Sequence, residues 1–385
     1  MNIGLDGLPL TSPKTGVGHY TFELACALAD IESASHFEFV YPSTYPEMDV
    51  SGNATRPKLP TNLKLQRVNV GVLARHWWSA GLPHYIKTSN LQLFHGTNYE
   101  IPLWRPCATV LTIHDLSPLI HPETHHRRSA WRARRRMPVM VRAADAIITP
   151  TETVRREVCE HLRVNPEKVF AIPEAARDCF RPLEFHETAE VRARLGISDE
   201  FLLTVGTVEP RKNLSVVVSA FEEVLRARPE SKIQLIIVGG RGWLSDPLFT
   251  AVERSPARHR IIFTGYLHDE DLRSLYASCR GFIYPSIYEG FGLPPLEAMA
   301  CGAPVIASRT ATLVETTAHA ALLFDPHSVT ELVHKIFELI GTGNARHQLS
   351  AIGQRRAAEF SWERTARMTW DVYAIALEKR RTGRE

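Results

Sequence analysis

The sequence lacks the closely spaced cysteine pairs that build disulfide frameworks and zinc sites. Its six cysteines have no short spacing between any two of them, since they lie at positions 26, 107, 159, 179, 279 and 301. A disulfide-stapled secreted domain and a structural zinc domain are therefore excluded. This cysteine usage fits a reducing cytoplasm best.

Long apolar runs are also missing. No stretch approaches the roughly 20 apolar residues that a membrane-spanning helix needs, and Met1–Asp6 is not the basic start of a secretion signal. We therefore expect a cytoplasmic protein that is neither secreted nor integral to a membrane.

An excess of charge of either sign is missing as well. The chain has 45 Lys and Arg against 42 Asp and Glu, a formal net charge of +3, so no strong overall field indicates a nucleic-acid partner. One local exception is the segment 125–142, where arginines alternate with apolar residues. Two interpretations stay open: a solvated face of a helix packed on the core, or a peripheral contact with an anionic membrane, where each nearby arginine contributes about 1 kcal/mol.

The rest of the chain alternates between short apolar runs and segments of helical period, which predicts an α/β fold of doubly wound parallel sheets. Its 385 residues exceed what one core usually serves. We predict Rossmann-like domains over residues 1–180 and 181–361, and a C-terminal helix over 362–385 that packs back on the first domain. Two such domains facing one another would form a cleft at the carboxyl ends of their strands. Acceptor choice would depend on first-domain loops such as Ser43–Asn62.

The first candidate site follows the predicted strand Phe201–Val205. The segment Gly206–Asn213 leads from this strand into a predicted helix and carries Arg211 and Lys212. A helix start favours a phosphate, because it offers backbone N–H groups and partial positive charge. Arginine binds a diphosphate through two parallel hydrogen bonds, whereas lysine acts as a point charge. An ordinary exposed basic loop is the alternative.

The second candidate site is Tyr288–Ala298, again just beyond a predicted strand. The pair Pro294–Pro295 predicts a helix start close by, because proline is tolerated only in the first helical turn. Glu297 should then lie in the first turn and Glu289 in the loop before it, where Gly290–Gly292 leaves N–H groups open to a ligand. Glu297 suits a ribose diol, since a carboxylate accepts two hydrogen bonds. A carboxylate that interacts only with the helix dipole is the alternative for that residue alone.

The first predicted domain gives weaker signals. The segment Thr15–Tyr20 enters the first predicted helix but is not the dinucleotide fingerprint, because no third glycine follows at the required place. His114 and Asp115 end the apolar run Val110–Ile113, so they should lie at the carboxyl edge of a strand. His95, after another apolar run, has a similar position with less support.

A metal site is considered and rejected at Asp269–Asp271. Two aspartates separated by one residue could hold a divalent ion that bridges the phosphates of a sugar nucleotide. Here they immediately precede the helical pattern Leu272–Tyr276, so helix capping and the helix dipole explain them. We therefore predict no metal ligands.

With these motifs, the sequence resembles family four of the retaining glycosyltransferases along essentially its full length. The match is strongest over Phe201–Asp325, with Glu-Pro-Arg-Lys-Asn at 209–213, Phe-Thr-Gly-Tyr at 263–266 and two glutamates separated by seven residues. The resemblance implies the GT-B fold and a nucleotide diphosphate sugar as donor. It also implies no divalent metal or other cofactor, because protein cations and helix ends neutralise the leaving group.

The resemblance also implies roles for individual residues. Arg211 and Lys212 would hold the donor diphosphate, Glu297 the ribose, and Glu289 with the backbone after it the transferred sugar, while His114 would act from the first domain. The implied catalytic residues are His114, Arg211, Lys212 and Glu289, and the implied substrate-binding residues are Gly16, Val17, Gly18, Asp115, Gly206, Gly290, Phe291, Gly292, Leu293 and Glu297.

Within the family, the segments 16–20, 113–116 and 208–213 look most like bacterial mannosyltransferases of polysaccharide and O-antigen assembly. This implies transfer from GDP-mannose to a saccharide acceptor, lipid-linked at the inner face of the membrane. Four other interpretations stay open: a UDP-sugar-dependent relative, a non-hydrolysing sugar-nucleotide epimerase, a nicotinamide-dependent oxidoreductase and a non-catalytic sugar-binding protein. The missing fingerprint disfavours the oxidoreductase, and the missing export signal disfavours the binding protein.

Overall fold

The chain divides into two compact units, which are described separately. The first consists of Met1–Ile120, Arg128–Glu174 and Ser361–Glu385, and the second of His121–Arg127 and Ala175–Phe360. The division thus falls after Glu174 rather than at residue 180, and the sequence pattern does not predict the excursion of His121–Arg127. The computed structural model describes residues 1–10, 16–46, 48, 58–341 and 343–383. Part of the loop 43–62, expected to govern acceptor choice, lies outside these ranges.

The first unit is built on a parallel sheet of seven strands: β1 (Asn2–Asp6), β2 (His36–Pro42), β3 (Leu63–Val68), β4 (Leu93–Gly96), β5 (Ala108–Thr112), β6 (Ala146–Thr149) and β7 (Val169–Ala171). Their order is β3-β2-β1-β4-β5-β6-β7, and all pairs are parallel. Every residue of β5 is buried, because helices cover both faces of such a sheet. These helices include α1 (Gly16–Ile31), α2 (Leu82–Thr88), α3 (Ser117–Ile120), α4 (Arg127–Ala143) and α5 (Glu152–Leu162).

The second unit has a parallel sheet of six strands: β8 (Phe201–Val205), β9 (Gln234–Val238), β10 (Ile261–Gly265), β11 (Gly281–Tyr284), β12 (Val305–Ser308) and β13 (Ala321–Phe324). Their order is β10-β9-β8-β11-β12-β13. Apolar clusters pack on both faces. The helices are α6 (Ala189–Arg194), α7 (Leu214–Ala227), α8 (Asp246–Arg254), α9 (Asp269–Ser278), α10 (Leu293–Ala300), α11 (Ala311–Thr317), α12 (Val329–Gly341) and α13 (Gly343–Ala357). The predicted pair of doubly wound parallel sheets is confirmed.

The C-terminal helix α14 (Trp362–Thr382) packs within the first unit, as the sequence predicts. The hydroxyl of Tyr373 lies 2.8 Å from Nδ1 of His95, which is on β4. The hydroxyl of Thr365 donates to the carbonyl of Pro173, at 2.7 Å. These contacts tie α14 to β4 and to the segment that follows β7.

The basic helix α4 has one buried and one exposed side. Met137, Met140 and Val141 are buried in the core of the first unit, so the packing interpretation of segment 125–142 is confirmed. Its arginines lie mostly on the exposed side together with Trp131, which is 57% exposed and has the guanidinium of Arg135 4.4 Å from its ring centroid. Membrane contact by this exposed side stays a prediction.

Candidate active site

The two motifs of the second unit follow neighbouring strands at the point where the strand order reverses. Gly206–Asn213 follows β8, and Tyr288–Ala298 follows β11, which pairs with β8. Open parallel sheets bind ligands at the carboxyl ends of the strands at such a switch point. The fold therefore brings both motifs to one edge of one sheet.

Two glycines allow the backbone to pack closely at this edge. Gly206 has a φ of +151°, and Gly239, directly after β9, has a φ of +146°. A Cβ atom on Gly239 would lie 2.0 Å from the carbonyl oxygen of Gly206, so no side chain fits there. A Cβ atom on Gly206 would lie 3.5 Å from Cε of Lys212. Gly206 therefore lies against the aliphatic stem of the lysine, and its contact with substrate stays a prediction.

Arg211 and Lys212 lie in a single turn that precedes the helix. Pro210–Lys212 form a 3-10 turn, Asn213 adopts a left-handed φ of +51°, and α7 begins at Leu214. The amide of Asn213 donates to two backbone carbonyls, at 2.8 and 3.3 Å, which fixes the turn. The side chains of Arg211 and Lys212 are 13% and 12% exposed. The alternative of an exposed basic loop is therefore wrong.

The carboxylate of Glu289 bridges the two cations. Its Oε2 lies 2.9 Å from Nη1 of Arg211, and its Oε1 accepts from Nζ of Lys212 at 2.6 Å. Lys212 also donates to the hydroxyl of Tyr284 at 2.8 Å, and Arg211 donates to Glu209 at 2.8 Å. The sequence motifs do not indicate Tyr284 or Glu209 as members of this cluster. Two half-buried cations thus face two carboxylates.

Burial and charge act in opposite directions on this cluster. Burial acts to raise the pKa of Glu289, but Arg211 and Lys212 outweigh it and lower this pKa to about 2. Burial lowers the pKa of Lys212, although Glu289 counteracts it. Burial likewise raises the pKa of Glu209 against the effect of Arg211. An arriving diphosphate would therefore compete with Glu289 for the same two cations.

The helix α10 begins where the paired prolines predict. Gly292 precedes it with a φ of +98°, where a Cβ atom would lie 2.7 Å from Cδ2 of Leu313. Pro294 and Pro295 occupy the first turn. Glu297 is the fifth residue of α10 and no acidic residue lies in the first turn, so placing Glu297 there was wrong. The helix-dipole alternative for Glu297 fails for the same reason, because that effect is confined to the end of a helix.

Glu297 belongs to a buried ionic cluster around Arg177. Oε1 of Glu297 accepts from Nε and Nη2 of Arg177, at 3.2 and 3.1 Å. Nη1 of Arg177 donates to Asp269 at 2.6 Å, and the hydroxyl of Tyr276 lies 3.4 Å from Oε2 of Glu297. Burial raises the pKa of Glu297, and Arg177 opposes that rise. Arg177 thus orients the carboxylate to which the sequence assigns the ribose.

The acidic residues that begin α9 form ion pairs rather than caps. The residue before the helix, His268, makes no side-chain capping hydrogen bond. Asp269 accepts from Arg177, and Asp271 accepts from Arg194 at 2.6 Å. The capping part of the predicted explanation is therefore wrong, whereas their place in the first turn fits the helix dipole. Among the residues with described side chains, no three His, Cys, Asp or Glu groups are arranged to hold a metal ion.

The other residues of the second unit that are predicted to bind substrate are Gly290, Phe291 and Leu293. The ring of Phe291 is buried and packs edge-on against Phe360, with centroids 5.8 Å apart. Its carbonyl accepts from the hydroxyl of Thr316 at 2.6 Å. Gly290 lies in the loop before α10, and Leu293 is the first residue of that helix. Substrate contacts by this loop stay a prediction.

Gly16, Val17 and Gly18 form the first turn of α1 in the first unit. A Cβ atom on Gly16 would meet nothing within 4 Å, so packing does not require a glycine there, and Gly18 is buried. Asp115 accepts from the backbone N–H and the hydroxyl of Ser117, the first residue of α3, both at 2.8 Å. Substrate contacts by Gly16, Val17, Gly18 and Asp115 stay a prediction.

Two buried histidines lie at the first sheet, one within a strand and one just beyond a strand. His114, two residues beyond β5, has Nε2 2.8 Å from the carbonyl oxygen of Thr97 and Nδ1 3.3 Å from Oε1 of Glu174. The sequence pattern suggests that His95 follows a strand, but the structure places it within β4. Burial lowers the pKa of His95 to about 3, which makes it a neutral structural residue. Glu174 is a neighbour of His114 that the sequence motifs do not indicate.

Two family profiles together match most of the chain. The profile described as Glycosyltransferase Family 4 matches residues 14–176, and the one described as Glycosyl transferases group 1 matches residues 187–356. The chain belongs to glycosyltransferase family 4. Each profile falls mainly in one of the two units, and the Arg211, Lys212 and Glu289 cluster lies in the group 1 region.

Two curated relatives from Escherichia coli are mannosyltransferases. O-antigen chain mannosyltransferase B is 28% identical over 380 residues, which cover 95% of this chain and 98% of that protein. The serotype-specific mannosyltransferase WbdA is 31% identical over 295 residues, which cover 74% of this chain and 36% of WbdA. The match with WbdA thus spans about a third of that longer protein.

Solved structures of other proteins share the GT-B fold of this chain. Sucrose-phosphate synthase from Thermosynechococcus elongatus matches with a TM-score of 0.77 at 21% identity, covering 97% of this chain and 98% of that one. WaaG, a glycosyltransferase involved in lipopolysaccharide biosynthesis, matches with a TM-score of 0.73 at 16% identity, covering 97% and 99%. HepE of Anabaena, solved with UDP and glucose, matches with a TM-score of 0.74 at 17% identity, covering 97% and 99%. Within the part of the chain that the structure describes, no helix is long and apolar enough to cross a bilayer.

Proposed function

We propose that this glycosyltransferase moves mannose from GDP-mannose to a saccharide acceptor, with retention of the anomeric configuration and without a divalent metal or other cofactor. The observation that carries the proposal is the half-buried pair Arg211 and Lys212 at the switch point of the second sheet, bridged by Glu289. The similarity to two mannosyltransferases supports the choice of sugar and a role in cell-surface polysaccharide or O-antigen assembly.

The cations act on the leaving group in this mechanism. The bond between C1 of mannose and the β-phosphate oxygen breaks, and negative charge develops on GDP. Arg211 and Lys212 stabilise that charge, which is the part that a metal ion plays in other enzymes. The acceptor hydroxyl attacks C1 on the same face, and its proton goes to the departing phosphate oxygen. No protein nucleophile is needed, and the ribose of the donor is held by Glu297.

We further infer that the acceptor is lipid-linked and that α4 contacts the inner face of the membrane. The exposed side of α4 carries most of its arginines, with Trp131 and Val139, which are 57% and 44% exposed. Arginine is attracted to anionic headgroups, and an exposed tryptophan suits the interface. This arrangement would bring the enzyme to the surface where a lipid-linked saccharide lies.

The first test is thermal unfolding of the purified protein in EDTA with GDP, UDP, ADP and their sugars, and with NAD. A ligand at about a hundred times its Kd stabilises a protein by roughly 2.7 kcal/mol, so a selective rise in Tm with GDP and GDP-mannose is expected. A rise with UDP and its sugars alone would keep the family and change the donor. A response to NAD and to no other nucleotide would overturn the proposal.

The second test follows the product. Incubation of GDP-mannose with a lipid-linked saccharide should give an α-mannoside, because the mannose of the donor is α-linked, and the one-bond coupling between C1 and H1 of the new mannoside, measured by NMR, reads the configuration. A β-linked product would exclude retention. Isomerisation of the sugar nucleotide without an acceptor would instead favour the epimerase.

A further inference from the structure

A buried histidine and carboxylate lie together beyond the carboxyl ends of two strands of the first sheet. His114 follows β5, and Glu174 follows β7. Nδ1 of His114 lies 3.3 Å from Oε1 of Glu174, and Nε2 lies 2.8 Å from the carbonyl oxygen of Thr97. His114 and Glu174 are 9% and 4% exposed, so water does not screen their interaction well.

The two partners of His114 decide how many protons its ring carries. A backbone carbonyl only accepts hydrogen bonds, so Nε2 must carry a hydrogen. An ionised carboxylate also only accepts, so the contact at Nδ1 is favourable when a second proton lies between Nδ1 and Oε1. A neutral ring would instead turn the lone pair of Nδ1 towards the carboxylate. The geometry therefore favours an imidazolium paired with a carboxylate.

His95, which lies on β4, has hydrogen-bond partners of a different kind. Its Nδ1 lies 2.8 Å from the hydroxyl of Tyr373, and its Nε2 lies 2.8 Å from the hydroxyl of Thr112. A hydroxyl both donates and accepts, so these partners satisfy a neutral ring. Burial lowers the pKa of His95 to about 3, and the charge of His114 adds to this effect. The two histidines thus differ in the kind of partner that each nitrogen meets.

The other rings around His114 supply no competing anion. Tyr20, on α1, meets it edge-on with ring centroids 4.8 Å apart, and Tyr99 does so at 5.9 Å. Burial holds the pKa of Tyr20 well above its usual value, and Glu174 raises it further, so this phenol stays neutral. Among the contacts of His114 that the structure describes, Glu174 is therefore the anion.

We propose that Glu174 is a positioning residue that holds His114 as an imidazolium, so that the first unit presents a fixed cation rather than a general base. This inference rests on the proposed function, because His114 is one of the catalytic residues that the glycosyltransferase resemblance implies. It agrees with a mechanism in which the acceptor's proton goes to the leaving diphosphate, since a ring that donates from both nitrogens cannot accept that proton.

The charge of His114 can be read without any substrate. In full-length protein labelled with 15N, imidazole NMR at pH 7 should show both ring nitrogens of His114 protonated and one nitrogen of His95 protonated. The variants H114Q and H95Q assign the signals. A neutral His114 in the unmodified protein would overturn the proposal, whatever its transfer activity. An imidazolium in a protein that ignores GDP-mannose would support the charge assignment and sink the proposed function alone.

The variant Glu174→Gln then tests the positioning role. Its amide can donate to Nδ1, so the ring should keep its place and become neutral. We expect a neutral His114 signal, an unchanged His95 signal and a kcat lowered about tenfold, with the donor KM within about twofold. Unchanged kcat, or an imidazolium that persists in E174Q, would refute the role. If E174Q does not fold, Glu174→Asp serves instead: it keeps the charge, so it should retain the imidazolium signal, and a neutral ring there would also refute the role.

Discussion

Replacing Arg177 with methionine should destabilise the second unit strongly. The change leaves the carboxylates of Glu297 and Asp269 without a guanidinium that now contacts them at 2.6 to 3.2 Å, and Glu297 is only 6% exposed. Removing one partner of a buried ion pair costs about 3–5 kcal/mol. For a unit of this size 1 kcal/mol corresponds to roughly 2–4 °C, so Tm should fall by roughly 6–20 °C.

The loss should also depend on pH in a defined direction. Burial already raises the pKa of Glu297, although Arg177 opposes it, so removing Arg177 raises this pKa further. A carboxyl whose pKa is higher in the folded than in the unfolded state favours folding below its unfolded pKa and loses that contribution as pH rises. The difference in Tm between R177M and the unmodified protein should therefore be small near pH 5 and larger at pH 8.

Differential scanning calorimetry at several pH values makes this measurement, with Arg194→Met as the matched control. Arg194 pairs with Asp271, which lies on the same helix as Asp269, but the side chain of Arg194 is 55% exposed. Exposed pairs contribute about 1 kcal/mol or less. The double variant R177M/E297Q should regain part of the stability, because it removes the buried charge of Glu297. It should not regain affinity for the donor, because Glu297 is the residue proposed to hold the ribose. Equal losses for R177M and R194M, or a loss that does not change with pH, would refute the reasoning.

Further predictions concern the cations, the backbone and the basic helix. Lys212→Ala should lower turnover by roughly a hundred- to a thousandfold, about 3–4 kcal/mol, in a steady-state assay where Lys335→Ala, which removes an exposed ion pair, has no effect; near-normal turnover of folded K212A would contradict its assigned role. Gly239→Ala should lose several degrees in Tm because its Cβ would meet a carbonyl oxygen, whereas Gly16→Ala has open space and should unfold like the unmodified protein. In vesicle flotation, the protein should bind anionic but not zwitterionic lipid, less so at high salt, and glutamine at Arg132 and Arg134 should weaken binding; equal binding to both lipids would argue against a basic membrane face.

The sequence predicts the fold and the centre of the donor site because local signals are strong there. Arg211, Lys212 and Glu289 lie beside short apolar strands and the paired prolines that begin α10, and strand order then brings them together. Arg177 could not be found in this way, because it lies in an irregular segment and meets Glu297 across 120 positions.

Other differences have equally local causes. The apolar run Leu91–Phe94 predicts a strand from Leu91, but β4 begins two residues later because the run extends before the paired segment. The sequence pattern does not predict β13, which is four residues long and has only Phe324 buried. The excursion His121–Arg127 depends on contacts distant in sequence: the ring of His125 stacks on Trp243 with centroids 5.8 Å apart, and the indole of Trp243 donates to the carbonyl of Thr124 at 2.7 Å. No periodic pattern carries such information.

The same excursion has a consequence for taking the protein apart. The chain passes from one unit to the other four times, after Ile120, Arg127, Glu174 and Phe360. No single truncation therefore yields either unit whole. A fragment that stops at Glu174 loses α14 from the first unit. A fragment that starts at Ala175 loses His121–Arg127, the segment whose residues contact Trp243. An exchange of one unit between relatives would therefore need chain junctions at all four of these points. A single junction at the apparent midpoint of the chain would leave both units incomplete.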